Sequence, residues 1–137
     1  MWRESAGIES LPVVLLLGTV LAMCALGLGV EAMTRAQSLG ERQRAIESFN
    51  TFIERARMAS AGGLGSEQWV ELELAGGKLV VDANLVQLVV GEEVLRSEIL
   101  PLPVVLDSRD NEIGGGGYAV ELRRGSEGGY FLMVRRL

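Results

Sequence analysis

The chain is expected to be α+β: a long N-terminal helix, membrane-spanning and then amphipathic, packed on a small antiparallel β-sheet domain. Three features predict this. Leu11 to Val30 reads LPVVLLLGTVLAMCALGLGV, without a charged residue. Glu31 to Ser60 contains no proline and carries apolar residues at helical spacing. From Ala61 onward, glycine clusters separate short runs in which apolar and polar residues alternate. The first two are helical signals and the third is a strand signal.

The uncharged stretch comes first. At ~1.5 Å per residue, about 20 helical residues cross the ~30 Å hydrocarbon core of a bilayer. A core helix of a soluble protein normally keeps a polar face, and this stretch has none. Glu9 stands before it, and Glu31 and Arg35 follow it. Ala25 and Gly29 have the small-xxx-small spacing that lets membrane helices approach closely. Cys24, the only cysteine, lies inside the stretch and reads as a small apolar residue. The apolar run is longer than the core of a secretory signal peptide, and Val30-Glu31-Ala32 is a poor cleavage site. The helix is therefore expected to stay in the mature chain.

The next segment continues the helix. Leu39, Ile46 and Ile53 are seven apart, and Phe49 and Ala56 fill the face between them, so these five residues form the expected helix-packing face. The other side mixes Glu47 and Glu54 with Arg44, Arg55 and Arg57, as a solvated helix surface does. From Leu11 to Ala59 the rod would measure roughly 70 Å, with Gly40 as its soft point. The apolar face has two expected partners, the chain's own sheet and the same helix of another subunit.

Ala61-Gly62-Gly63-Leu64-Gly65-Ser66 ends the helix. Val70, Leu72 and Leu74 then alternate with Trp69, Glu71 and Glu73. Ala75-Gly76-Gly77 is expected to close a hairpin into a strand over 79–82, followed by strands over 86–90 and 94–100, as a meander. Leu100-Pro101-Leu102-Pro103 suits an edge or a crossover into Val104 to Leu106, since proline cannot donate to a central ladder. Asp107 to Gly117 is expected as a loop. Tyr118 to Arg123 and Tyr130 to Val134 are expected as a final hairpin. About 70 residues without a disulfide make a marginal core, so helix and sheet are expected to fold as one unit.

Composition narrows the function. The net charge is −5. Residues 61–137 hold seven Lys or Arg against twelve Asp or Glu, a poor footprint for nucleic acid. Histidine, the commonest acid–base catalyst, is absent from the sequence. Asp107 to Glu112 gathers three carboxylates and an Asn, but its spacing is not that of a calcium loop and Arg109 interrupts it. Gly114 to Gly117 lacks the Lys-Ser/Thr and helix of a phosphate loop and reads as a linker. Arg123-Arg124 and Arg135-Arg136 form a candidate basic strip across the last hairpin. No enzyme, cofactor, metal, nucleic acid or small-molecule substrate is expected.

The phrase Gly7-Ile8-Glu9-Ser10-Leu11-Pro12, placed just before the apolar run and followed by a helix and a sheet, resembles type IV pilin-like precursors, in particular small archaeal pilin-like surface proteins. The resemblance implies a leader over residues 1–7, cut by a prepilin-type peptidase between Gly7 and Ile8. It also implies a transmembrane and filament-core helix over 8–30, its amphipathic continuation over 31–60, and a β domain over 61–137. Glu9 would be the assembly contact. It stands second after the cut, whereas the family often has a Glu in fifth place, which Pro12 holds here. The implied function is that of a structural subunit, major or minor, of a cell-surface filament. It assembles with copies of itself or with other pilin-like subunits. The implied location is a single-pass membrane protein with an extracellular C-terminal domain. Arg35, Arg42 and Arg44 on the C-terminal side oppose that orientation by the positive-inside rule, against Arg3 on the other side. The alternative is an uncleaved membrane anchor whose β domain binds another component of the envelope or the motility apparatus.

Overall fold

The computed structural model describes residues 12–137 in full and residues 2–11 as helical backbone only. One helix, α1 (Trp2–Ala61), precedes eight strands. These are β1 (Glu67–Leu72), β2 (Lys78–Asp82), β3 (Leu85–Val90), β4 (Glu93–Ile99), β5 (Val104–Leu106), β6 (Glu112–Ile113), β7 (Gly116–Arg124) and β8 (Tyr130–Arg136). The fold is α+β, with the helix packed against two small sheets. Pro12 lies inside α1, where its fixed φ fits the helix but its missing N–H removes one rung.

The chain divides into two compact units at the Leu39/Gly40 junction. The first is helical throughout its described residues. The second, Gly40–Leu137, holds the last turns of α1 and all eight strands. Its helix buries Ala45, Phe49, Phe52, Ile53, Ala56 and Ala59, a 4-3-1-3-3 spacing that keeps one stripe turned inward.

The strands form two four-stranded sheets, β1-β7-β8-β5 and β4-β3-β2-β6. In the first, Val70 and Leu72 of β1, Val120 and Leu122 of β7, and Leu132 and Val134 of β8 are buried. In the second, Leu79 and Val81 of β2 and Val86 and Leu88 of β3 are buried. These inner faces and the helix stripe share one hydrophobic core. Phe49, Phe52, Leu74 and Leu132 are among its largest fully buried side chains.

Three local readings are corrected by this topology. Ala75-Gly76-Gly77 closes no hairpin: β1 pairs with β7, and β2 pairs with β3 and β6. The turn itself is tight, with the Gly77 N–H donating to the Leu74 carbonyl at 2.8 Å and positive φ at Ala75 and Gly76. It hands the chain from one sheet to the other. A Cβ on Gly77 would come within 2.9 Å of both the Leu74 carbonyl and a Val90 methyl carbon, so glycine is needed there. The single meander is replaced by two sheets, because alternation determines which side chains share a face but not which strands pair. The stretch over 107–117 is more ordered than a loop. It contributes β6, paired with Leu79 and Val80, and the start of β7, where Gly116 and Gly117 pair with Leu72 and Glu71.

The crossover reading of Leu100–Pro103 agrees with the structure. The segment leads from β4 into β5, an edge strand parallel to β8. Pro103 donates nothing, but its carbonyl accepts the Leu132 N–H at 2.8 Å. At the helix end, the Gly62 N–H reaches the Met58 carbonyl at 3.0 Å, and the Ser66 side chain fills the space where a Gly62 Cβ would stand.

Candidate functional site: two exposed surfaces

The first surface is the apolar part of α1. Among the described residues, Val13, Val14, Leu15, Leu16, Leu17, Val20, Leu21, Met23, Leu26, Leu28 and Val30 are all exposed. The helix is long and apolar enough to cross a membrane, and none of its apolar window is buried. Its one hydroxyl within the uncharged run is satisfied locally: Thr19 Oγ1 donates to the Leu15 carbonyl at 2.9 Å. In lipid this matters, because an unmet polar group there has no water to turn to. Charge returns just beyond Val30, where Arg35 and Glu31 pair at 2.8 Å, one helical turn apart. Cys24 is a free, exposed thiol. Gly7 and Ile8, which flank the expected cut, and Glu9, the expected assembly contact, lie outside the fully described residues.

The five residues of the expected packing face separate. Phe49, Ile53 and Ala56 are buried in the core, and Ile46 is half-buried against it. Leu39 belongs to the first unit and is 67% exposed. Phe52, Ala45 and Ala59 complete the buried stripe; they are themselves seven apart, but the repeats started from Leu39 and from Phe49 pass over them. The i+3/i+4 neighbours of Phe49 would have found Phe52, Ala45 and Ile53 together.

Polar side chains tie this part of the helix to the strands. Ser48 Oγ accepts the Glu73 N–H at 3.0 Å. Arg57 reaches Glu98 of β4 at 3.3 Å, Arg42 reaches Glu93 at 3.6 Å, and Arg55 donates to Gln68 of β1 at 3.3 Å. The three arginine contacts lie in solvent, where each contributes little to stability.

The second surface is the outer face of the first sheet. Along one row, Trp69 of β1 stands opposite Ala119 of β7, which stands opposite Arg135 of β8. Ala119 is fully covered, whereas Trp69 is 67% exposed. The indole Nε1 donates to Glu67 Oε1 at 2.6 Å, and the same oxygen accepts Arg135 Nη2 at 3.0 Å. Arg135 thus reaches diagonally across β7, and its Nε is buried without a partner. On the next row, Glu121 pairs with Arg123 at 3.0 Å. The candidate basic strip is therefore not a strip. Arg123 and Arg135 alternate onto this outer face, each held by its own carboxylate. Arg124 and Arg136 fall on the opposite phase of their strands. The sequence signal for this surface is an aromatic residue in the polar phase of a strand, among Glu67, Glu71 and Glu73.

The acidic segment over 107–112 is tied up by the fold. Glu112 pairs with Lys78 at 2.9 Å, and Ser108 Oγ donates to the Asp110 carbonyl at 2.9 Å. Among the described residues, no three His, Cys, Asp or Glu side chains converge on a point. An apolar groove of about 560 Å³ lies where the end of α1 meets Leu64, Pro101, Leu102 and Tyr130. Comparison with protein-family models, with curated proteins and with solved structures finds no match to this chain.

Proposed function

We propose that the protein is a structural, pilin-like subunit of a cell-surface filament. In this reading the helix over 8–30 holds the subunit in the membrane and then packs among copies of itself or other pilin-like subunits. The observation that carries the reading is one helix with two different ends. Its residues over 12–30 are uncharged and exposed on every side, and its last turns are built into a β core. Such a surface is stable in lipid or against equivalent helices, but not in water. Transfer from lipid to a helix bundle changes the apolar environment little, so packing geometry and the handling of Glu9 set specificity. A buried Glu9 carboxylate needs a cationic partner, and the amino terminus created at Ile8 would supply one.

The reading requires a prepilin-type peptidase, an outward-facing β domain, and no catalytic role. Mass spectrometry of the mature chain tests it: the N-terminus is expected at Ile8. Labelling of Lys78, the only lysine, by a membrane-impermeant reagent on intact cells tests the orientation.

One observation favours a second reading, an uncleaved anchor that presents the β domain to another envelope or motility component. Pro12 occupies the place after the cut where the family often has Glu. A mature chain beginning at Met1 or Trp2, present as single copies in the membrane, would establish that alternative.

A further inference from the structure

We infer that Gly40 is a hinge built into α1, the residue at which the helix bends between its apolar part and its β-packed end. α1 is unbroken from Trp2 to Ala61, but its two parts are supported differently. Every residue over 12–39 is exposed, so the rest of the chain does not brace that part. From Ala45 to Ala59 the inward stripe is clamped by the core. The ion pair of Arg42 with Glu93, at 3.6 Å, is the first tie from the helix to a strand. Gly40 lies between the two regimes, at the junction of the two compact units. A segment opens or bends most readily where buried contacts end and backbone hydrogen bonds face water.

Nothing inside the chain requires glycine at this position. Its backbone is helical, its φ is not in the left-handed region, and a Cβ there would meet nothing within 4 Å. Alanine would fit, and it favours the helix about fivefold over glycine at a single residue. Gly18, Gly27 and Gly29 are equally open, but they lie in the uncharged stretch, where small residues serve contact between membrane helices and no water competes for the backbone bonds. Gly40 lies beyond Glu31 and Arg35, where glycine opens the backbone to water. The side chains follow the same division. Thr34 to the Val30 carbonyl and Arg35 to Glu31 brace the helix before Gly40. Gln43 to Glu47 and Thr51 to the Glu47 carbonyl brace it afterwards. Among the described residues, no side-chain hydrogen bond or ion pair along α1 joins a residue before Gly40 to one after it. A bend there lets the apolar part change its tilt in a bilayer while the stripe stays in the core. The inference does not depend on filament assembly or leader cleavage.

The test uses the full-length protein in lipid nanodiscs, with spin labels at Cys24, the only cysteine, and at one introduced cysteine. Thr51→Cys places the second label across Gly40, about 40 Å away along a straight helix. Gln37→Cys places it on the same side as Cys24, about 20 Å away, and is the control. Distance distributions are measured by pulsed electron spin resonance, with the labelled protein diluted in unlabelled Cys24→Ser protein. The distribution across Gly40 is expected to be broad and to extend below the straight-helix distance, and the control to be narrow. Gly40→Ala is expected to reduce the bent population about fivefold and to leave the control unchanged. A single narrow distribution across Gly40 in the parent overturns the proposal. So does a broad one that Gly40→Ala leaves as it was, or a control as broad as the test pair, since either puts the bend elsewhere. A change in oligomeric state on Gly40→Ala, with the distribution unchanged, overturns it by assigning the glycine to contact with a second copy of the chain.

Discussion

Ser48 on α1 accepts the backbone N–H of Glu73 at 3.0 Å, just beyond the end of edge strand β1. Glu73 follows the last residue paired with β7, so the helix supplies an acceptor where the ladder has stopped. Ser48→Ala is expected to lower stability by about 0.5–1.5 kcal/mol, the net contribution of one hydrogen bond. The better helix propensity of alanine will offset part of this. Thr51→Ala is the control, since Thr51 Oγ1 bonds only the Glu47 carbonyl within its own helix. Thermal unfolding of the two variants checks the difference: Ser48→Ala melts lower, and Thr51→Ala melts with the parent or above it.

The helix stripe is part of the core and not a cover laid over a finished sheet. Phe49 and Phe52 are both fully buried with Leu74, Leu79, Leu88 and Leu132. Removing residues before 61 would expose the inner faces of both sheets at once. A fragment over 40–137 is expected to melt cooperatively, whereas 61–137 is expected to lose its sharp transition and bind a hydrophobic dye. Within the longer fragment, Phe52→Ala is expected to cost about 3–5 kcal/mol, a large share of the ~5–15 kcal/mol that holds a domain together. Urea titration measures both. A sharp transition for 61–137 would show that the sheets stand without the helix.

The helix was legible because its signals are local: an uncharged run, a stripe at i+3 and i+4, and a glycine cluster after Ala61. Strand positions were legible for the same reason, since Val70 and Leu72 or Val120 and Leu122 reveal their phase within a few residues. Pairing was not. β1 finds β7 across more than forty intervening residues, and nothing in EQWVEL says so. The turn at Ala75–Gly77 misled because its conformation is the one hairpins use, although it joins strands of different sheets. Trp69 was assigned correctly to the outward phase. Its contact with Arg135 through Glu67 depends on the β1–β7–β8 order and was therefore invisible. Leu39 shows the limit of a repeat: it continues the spacing of Ile46 and Ile53 past the Gly40 junction, where the second unit has ended.

Ala83 sits at the first central position of the two-residue β2–β3 turn with φ +50°. An L-residue with a Cβ is costly in that region, by about 1–2 kcal/mol, and type II′ hairpins use glycine there. The turn is nonetheless held from outside. The Ala83 carbonyl accepts the Val104 N–H at 3.0 Å, and Asn84 exchanges hydrogen bonds with the Leu100 backbone at 2.8 and 3.1 Å. Ala83→Gly keeps these bonds and relieves the strain, at the cost of a more flexible unfolded chain. A net gain of about 0.5–1 kcal/mol is expected, read as a melting temperature several degrees higher. Asn84→Ala should act in the opposite direction.

Leu21 and Leu39 are nearly equally exposed, at 63% and 67%, yet they stand on different sides of the charge boundary at Glu31. If the exposed apolar surface of α1 faces lipid, only Leu21 should resist a charge. An arginine near the centre of a spanning helix costs about 2.5–3.5 kcal/mol of insertion free energy, in addition to the lost contribution of the leucine. Leu21→Arg is therefore expected to move a large part of the protein out of the alkaline-resistant membrane fraction. Leu39→Arg, four residues after Arg35 and close to Arg42, is expected to leave insertion unchanged. Were the helix instead solvated along its whole length, both substitutions would improve solubility alike and neither would change the fractionation. Immunoblotting of carbonate-washed membranes from cells expressing each variant distinguishes the two cases. The same membranes show whether Leu39→Arg, though still inserted, has lost contact with neighbouring copies, as the pilin-like reading requires of an unpartnered apolar residue just beyond the span.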